Sequence, residues 1–203
     1  GALVLVSTEH DELWIPRTHI TTLSMLPPIG RQEPSFELPT LAESEYFGET
    51  ETIRSVRFIR DHLYVVTFKK TDPLFSFDLT DVTAPRLMSA LEITGFSAYL
   101  HDLPGDLLLG VGYDADDQGD FAWAQGIQIS LFDLRNPAVP IVITQEVRGQ
   151  RGSFLPAAMD AHAFSFEPSR QRVAVPMSIF SDERGLVSGA AIMKISNRRL
   201  VDE

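Results

Sequence analysis

The chain has 203 residues, 44% hydrophobic and 22% charged, which suffices for a sizeable core. Its net charge of −11, from 28 acidic and 17 basic side chains, argues against a nucleic-acid partner, because such binding draws on Lys and Arg neutralising phosphates. The absence of cysteine excludes disulfides, thiolate metal sites and cysteine nucleophiles, and no apolar run approaches the ~20 residues of a membrane helix. The acidic surface otherwise serves solubility, and at most favours a cation-rich partner.

The start, Gly1-Ala2-Leu3-Val4-Leu5-Val6, is apolar without a basic flank and reads as a strand rather than a signal peptide. Leu3 to Ser7, Leu13-Trp14-Ile15 and His19 to Leu26 read as strands of a partial unit over residues 1–30. Pro27-Pro28-Ile29-Gly30 ends that unit. Residues 31–51, acidic and carrying Pro34 and Pro39, read as an extended connector.

From residue 52 the pattern repeats. Ile53 to Ile59 alternates apolar and polar residues, turns at Arg60-Asp61-His62, and returns through Leu63 to Phe68. Phe96 to Leu100, Pro104-Gly105-Asp106 and Leu107 to Val111 repeat this arrangement. His162 to Phe166, Glu167-Pro168-Ser169 and Val173 to Val175 repeat it again. Each copy continues into a further strand ending on shared turn chemistry. Phe77-Asp78-Leu79 and Phe132-Asp133-Leu134 lie 55 positions apart, and Ala191-Ile192-Met193-Lys194-Ile195-Ser196-Asn197, followed by Arg199-Leu200-Val201, is a fainter third copy. Asp and Asn accept from backbone N–H groups two residues on, and Pro fixes the turn that follows. No segment reads as a helix.

Four short strands per ~40–50 residues is the period of a β-propeller blade. The expected fold is therefore all-β, a β-propeller of about four four-stranded blades. Its parts are a partial blade at 1–30, a connector at 31–51, and blades at 52–94, 95–149 and 157–203. A long β-sandwich is the alternative, but it does not require one turn chemistry to recur in register. An open arc of four blades would close within a longer chain, by homo-oligomerisation, or on itself.

Val56-Arg57-Phe58 through Tyr64-Val65-Val66-Thr67-Phe68, then Thr71-Asp72-Pro73-Leu74-Phe75, closely resembles bacterial and archaeal secreted proteins with a C-terminal β-propeller domain, distantly related to WD40 proteins. The resemblance continues through Gly95 to His101, Ile129-Ser130-Leu131-Phe132-Asp133 and Arg151-Gly152-Ser153, covering roughly residues 48–176. It implies a propeller and an extracytoplasmic setting, secreted or at the cell surface, and no reaction. The family pattern places a His directly after the Asp that precedes its Ala-Phe pair. In Asp160-Ala161-His162-Ala163-Phe164 that His stands one place later, which in a strand moves it to the other face.

The most chemical-looking segment is Asp114-Ala115-Asp116-Asp117-Gln118-Gly119-Asp120. Asp114, Asp116 and Asp120 have the spacing of the first half of a calcium loop, with Gly119 for the sharp turn. Gln125 stands where such a loop needs its distal Glu, and the first reading is a solvated acidic turn. The five histidines have no zinc-site spacing. A Ser-His-Asp grouping of His101, Asp102, Asp160 or His162 with Ser97 or Ser153 lacks the Gly-x-Ser-x-Gly elbow. Gly110-Val111-Gly112 lacks the third glycine of a dinucleotide loop and reads as close backbone packing. Trp14 and Trp123 read either as ligand-stacking residues or as packing over a neighbouring blade. Arg148, Arg151 and Arg170-Gln171-Arg172 read as solvated turns.

The function expected is an interaction module. Long loops at Asp114–Gln125 and Ser178–Gly189 would emerge on one face of a rigid disc and form a surface for protein, peptide or glycan. No catalytic residue and no organic cofactor is assigned. A propeller-housed hydrolase or lyase needs inward-facing carboxylates or histidines, and a structural scaffold is the third reading.

Overall fold

The computed structural model describes residues 1–26, 38–68, 72–117 and 122–203. Among the described residues, fifteen strands form four antiparallel sheets, each with its strands in chain order. Blade 1 comprises β1 (Ala2–His10), β2 (Pro16–Ser24) and β3 (Thr40–Glu43). Blade 2 comprises β4 (Thr52–Ile59), β5 (His62–Phe68), β6 (Asp72–Asp78) and β7 (Arg86–Ile93). Blade 3 comprises β8 (Phe96–Leu103), β9 (Leu107–Asp117), β10 (Ala122–Asp133) and β11 (Ile141–Arg148). Blade 4 comprises β12 (Ser165–Glu167), β13 (Arg172–Ser181), β14 (Gly185–Ser196) and β15 (Arg199–Asp202).

Strand alternation sends each blade's side chains to two neighbours. Leu63, Val65, Phe75 and Phe77 of blade 2 meet Ile20 and Phe47 of blade 1. Tyr64, Val66 and Leu74, from the opposite face, meet Leu100, Leu108 and Phe132 of blade 3. Leu109, Val111, Ile129 and Leu131 then meet Val173, Val175 and Met193 of blade 4. Every interior blade is thus apolar on both faces, which is why its middle strands read as continuous apolar runs rather than strict alternations.

The repeat extends to individual hydrogen bonds. Leu79 N–H donates to the Asp61 carbonyl, Leu134 N–H to Asp106 and Ile195 N–H to Gln171. Phe-Asp-Leu, Phe-Asp-Leu and Met-Lys-Ile therefore occupy one structural position. Asp78 and Asp133 accept from the backbone N–H two residues on, starting a long turn. Lys194 opens no such turn, because blade 4 closes with a two-residue hairpin. Asn197 and Arg198 sit at φ 50° and 60°, between paired Ser196 and Arg199.

A second equivalence places blade 1. The Ser76 hydroxyl of β6 donates to the Pro137 carbonyl in the next blade's turn, at 2.8 Å. The Thr22 hydroxyl of β2 donates to Val82, at the same turn position, at 2.7 Å. β2 therefore stands as a third strand, and β1 to β3 fill the second, third and fourth positions of their blade. In blade 3 the residue at this position is Leu131. The tight blade 4 hairpin offers it no such carbonyl, and apolar packing takes the place of the bond.

Several expectations are corrected. Leu13-Trp14-Ile15 is the turn between β1 and β2, not a strand. The stretch read as a connector supplies β3 and the buried Phe47, whose ring stacks on Phe75 and Phe77 at 4.9 and 4.7 Å. Residues 31–37 of that stretch lie outside the described residues. His162 to Phe164 is not strand: Ala161–Ala163 forms a single 3-10 turn, as does Pro156–Ala158. Of the segments read as loops, residues 114–117, 122–125, 178–181 and 185–189 are strand, and 118–121 lie outside the described residues. Asp117 pairs with Ala122, and Ser181 pairs with Gly185.

Candidate functional site

The blades share one direction, so their connections sort to two ends of the arc. At one end lie the turns from first to second strand and from third to fourth strand. At the other lie the hairpins from second to third strand and the crossings between blades.

The first end is tied together by charge. Asp133 is 6% exposed and is held by Arg135 at 2.6 Å and by Arg198 at 2.7 Å. The Arg135 hydrogen bonds hold its carboxyl down to about 2, with Arg198 adding to this against the opposing pull of burial. Arg198 comes from the blade 4 hairpin and also donates to the Gly105 carbonyl, so one guanidinium spans two blades. Arg60 of blade 2 reaches Asp106 of blade 3 at 2.6 Å. Between blades 2 and 3 lies a cavity of about 130 Å³ lined by Arg60, His62, Tyr64, Asp102, Asp106 and Arg135, among others. It is smaller than the several hundred Å³ that enclose a typical organic ligand. Burial pushes the Tyr64 hydroxyl up to about 12, which keeps its proton in place.

The second end is built differently. Blade 2 has strands of seven, seven and eight residues after its first. In blade 3, β9 and β10 have 11 and 12 residues while β11 has eight and pairs only with 127–133. In blade 4, β13 and β14 have 10 and 12 residues. The blade 3 hairpin therefore runs past its fourth strand. Leu186 and Val187 near the blade 4 tip are 58% and 54% exposed. A groove of about 430 Å³ lies beside that hairpin, lined by Arg148, Met177, Ile179, Arg184, Val187 and Ala191 among others.

Blade 1 presents its second-to-third-strand turn at this same end. Leu13 and Trp14 are 79% and 81% exposed there. Trp14 has φ 60°, a conformation that is strained for a bulky residue. Asp11 maintains it. The Asp11 carboxylate accepts from Leu13 and Ile15 N–H, its carbonyl accepts from Trp14 N–H, and Arg17 pairs with it at 3.0 Å. These backbone donors, Ile15 foremost, hold the Asp11 carboxyl below its usual value. Among the described residues, the ring contact of Trp14 is with His10, at 5.7 Å in its own blade. Trp123 lies in β10.

The remaining candidates separate. Asp114 and Asp116 lie in β9, where Ala115, Asp116 and Asp117 are paired to β10. Asp120 lies outside the described residues, and among those described no cluster of acids and histidines is arranged to hold a metal. His101 stacks on Phe164 at 4.5 Å, and its Nδ1 lies 3.0 Å from the Tyr99 hydroxyl. Burial lowers its pKa to about 4. His162 pairs with Asp160 on its own 3-10 turn at 2.8 Å, with its side chain 96% exposed. Because this segment is a turn, the strand-face argument for His162 does not hold. Ser97 is buried, and the Ser153 hydroxyl donates to the Gln150 carbonyl and accepts from Phe180 N–H. Arg148 is no solvated turn: it lies in β11, 19% exposed, paired with Glu146 and Asp202. Gly112 does serve close packing, since a Cβ there would stand 1.8 Å from the Phe96 carbonyl oxygen.

Among curated proteins, an uncharacterized protein of Methanocaldococcus jannaschii is 37% identical over 122 residues, covering 58% of this chain and 17% of its own length. An uncharacterized protein of Archaeoglobus fulgidus is 32% identical over 149 residues, covering 64% of this chain and 23% of its own. The chain thus spans less than a quarter of the length of either relative. A family profile described as a beta propeller domain matches residues 1–203. With four meander sheets packed face to face in chain order, the chain belongs to the beta propeller domain family.

Proposed function

We propose that this chain is an interaction module that recognises a protein, peptide or glycan at its hairpin end. One observation carries the reading: at that end an exposed Trp14 is locked in a left-handed turn by Asp11, and at the same end the blade 3 hairpin outruns its fourth strand. A large aromatic held rigidly in solvent loses little entropy on contact, and such residues anchor interfaces. The reading is of binding rather than catalysis. His101, kept neutral beneath Phe164, supports it, as does the pairing of Asp106 and Asp133 with arginines at the opposite end. The resemblance seen in the sequence further supports an extracytoplasmic setting, which cell fractionation of the native host protein tests.

The binding test uses peptide-display and glycan-array selection on the parent protein. Selected ligands are then assayed on a variant with Leu13, Trp14, Leu186 and Val187 all changed to Ser. These side chains are exposed and the ladders do not depend on them, so the melting temperature should hold while binding falls at least about tenfold. Ligands that bind both proteins equally would overturn the assignment.

A further inference from the structure

In blade 2 two polar residues stand where the next copy of the repeat has leucine. The Asp61 and Asp106 carbonyls hold the same place, accepting from Leu79 N–H and Leu134 N–H. Counting on from each, His62 corresponds to Leu107 and Tyr64 to Leu109. Leu107 and Leu109 are 2% and 0% exposed and join the core shared with blade 4. Tyr64 is as deeply buried, at 1% exposed, in the core that includes Leu100, Leu108 and Phe132 of blade 3. It also lines the cavity of about 130 Å³ between blades 2 and 3. Among the described residues no hydrogen bond reaches its hydroxyl. A buried hydroxyl without a partner is unfavourable, and a group inside the cavity would complete it.

The rest of the lining says what that group is. Two cations, Arg60 and Arg135, face two carboxylates, Asp102 and Asp106. Arg60 is paired with Asp106 and Arg135 with Asp133, so the cavity has no surplus charge with which to hold an ion. Ile59, Leu134 and Pro137 give it an apolar wall. Burial pushes Tyr64 up to about 12, so its hydroxyl keeps its proton and both donates and accepts. Ligand hydroxyls have the same double character. They match Tyr64, a ring nitrogen of His62, the Asp102 oxygens and the remaining N–H groups of Arg60. At about 30 Å³ per water the space equals about four waters, which suits a three-carbon polyol and is too small for a sugar ring.

We propose that this cavity binds a small neutral polyol of three-carbon size, with one hydroxyl on Tyr64 and its neighbour between Asp102 and Arg60. The ligand bridges blade 2, which supplies Arg60, His62 and Tyr64, to blade 3, which supplies Asp102. The site lies at the end opposite Trp14 and stands on separate observations, so its failure leaves the interaction-module reading in place.

The probe is glycerol, titrated against the amide chemical shifts of the isotope-labelled chain. Saturable shifts are expected at 59–64, 102–106 and 134–137, with a millimolar midpoint. Tyr64→Phe keeps the ring and removes the hydroxyl, and should weaken glycerol about tenfold. Without glycerol its melting temperature should equal or exceed the parent's, which a hydroxyl with a structural partner would not allow. Asp102→Asn should weaken glycerol several-fold. In parallel melting curves, sucrose sets the baseline for general osmolyte stabilisation, because it is too large for the cavity. Glycerol should stabilise the parent beyond that baseline and Y64F only up to it. Shifts that grow linearly to molar glycerol would leave the cavity to water and overturn the proposal. Acetate or ethylammonium moving the same amides at lower concentration than glycerol would make it an ion site and overturn it as well. So would equal glycerol binding by the parent and Y64F. Should Y64F unfold, the titration of the unaltered chain and of D102N decides.

Discussion

The two ends of the arc are made by the same strands and do opposite things. At the Asp133 end, guanidinium groups cross from blade to blade, from Arg60 to Asp106 and from Arg198 to Asp133. At the hairpin end, the blade 3 hairpin outruns its fourth strand and apolar side chains stand in solvent. A blade repeat has to satisfy its charges and carbonyls where blades must keep register. That leaves its other end free to vary, and exposed loops on a rigid scaffold are where recognition gathers.

Stability measurements break or sharpen this contrast. The largest loss should come from inside the sheets. Gly112→Ala sets a Cβ against the Phe96 carbonyl at 1.8 Å, backbone against backbone with nothing to swing aside. It should cost about 3 kcal/mol or more in denaturant unfolding. Asp133→Ala removes a carboxylate from two arginines and a backbone donor, and should cost about 1–2 kcal/mol without touching ligand binding, because both arginines keep access to solvent. A cost as small for Asp133 as for a surface acid would remove the charge-tied end from the account.

Acid titration comes next. The folded His101 titrates near 4, below its unfolded value of about 6.5. Between those values the unfolded chain takes up a proton that the folded chain refuses. Stability should therefore fall as pH drops from about 6.5 to 4 and lose this dependence below that. His101→Phe keeps a ring against Phe164 and should flatten that part of the profile. Asp133, held near 2, contributes stability above about pH 4 that is lost as pH falls from there towards 2. The smallest effect belongs to Arg60→Ala. Its pair with Asp106 is 72% and 40% exposed, and the melting temperature should stay within about 2 °C of the parent.

What could be read in the sequence was local chemistry. The Phe-Asp-Leu turns announced themselves because an Asx turn is complete within three residues, and their spacing carried the blade count and the family. Phe47 was hidden in an acidic stretch because its partners, Phe75 and Phe77, lie about thirty residues away in the chain. Trp14 was read as strand because Leu-Trp-Ile is apolar. The signal that could have found the turn was Asp11, set two and four residues before the N–H groups it accepts, with Pro16 following. The long hairpins were read as loops because Asp, Gly and Ser mask the period of a ladder. The calcium spacing at Asp114 and Asp116 was legible as composition, and the strand pairing of residues 115–117 was not.

The contrast between the two ends is tested most directly by an amide hydrogen-exchange footprint of any selected ligand over the whole chain. The account predicts slowed exchange around Leu13 and Trp14 and along 182–191, with no change at 60–62, 104–106, 134–140 or 197–198. A footprint centred on Asp106, Asp133 and Arg198 instead would contradict it.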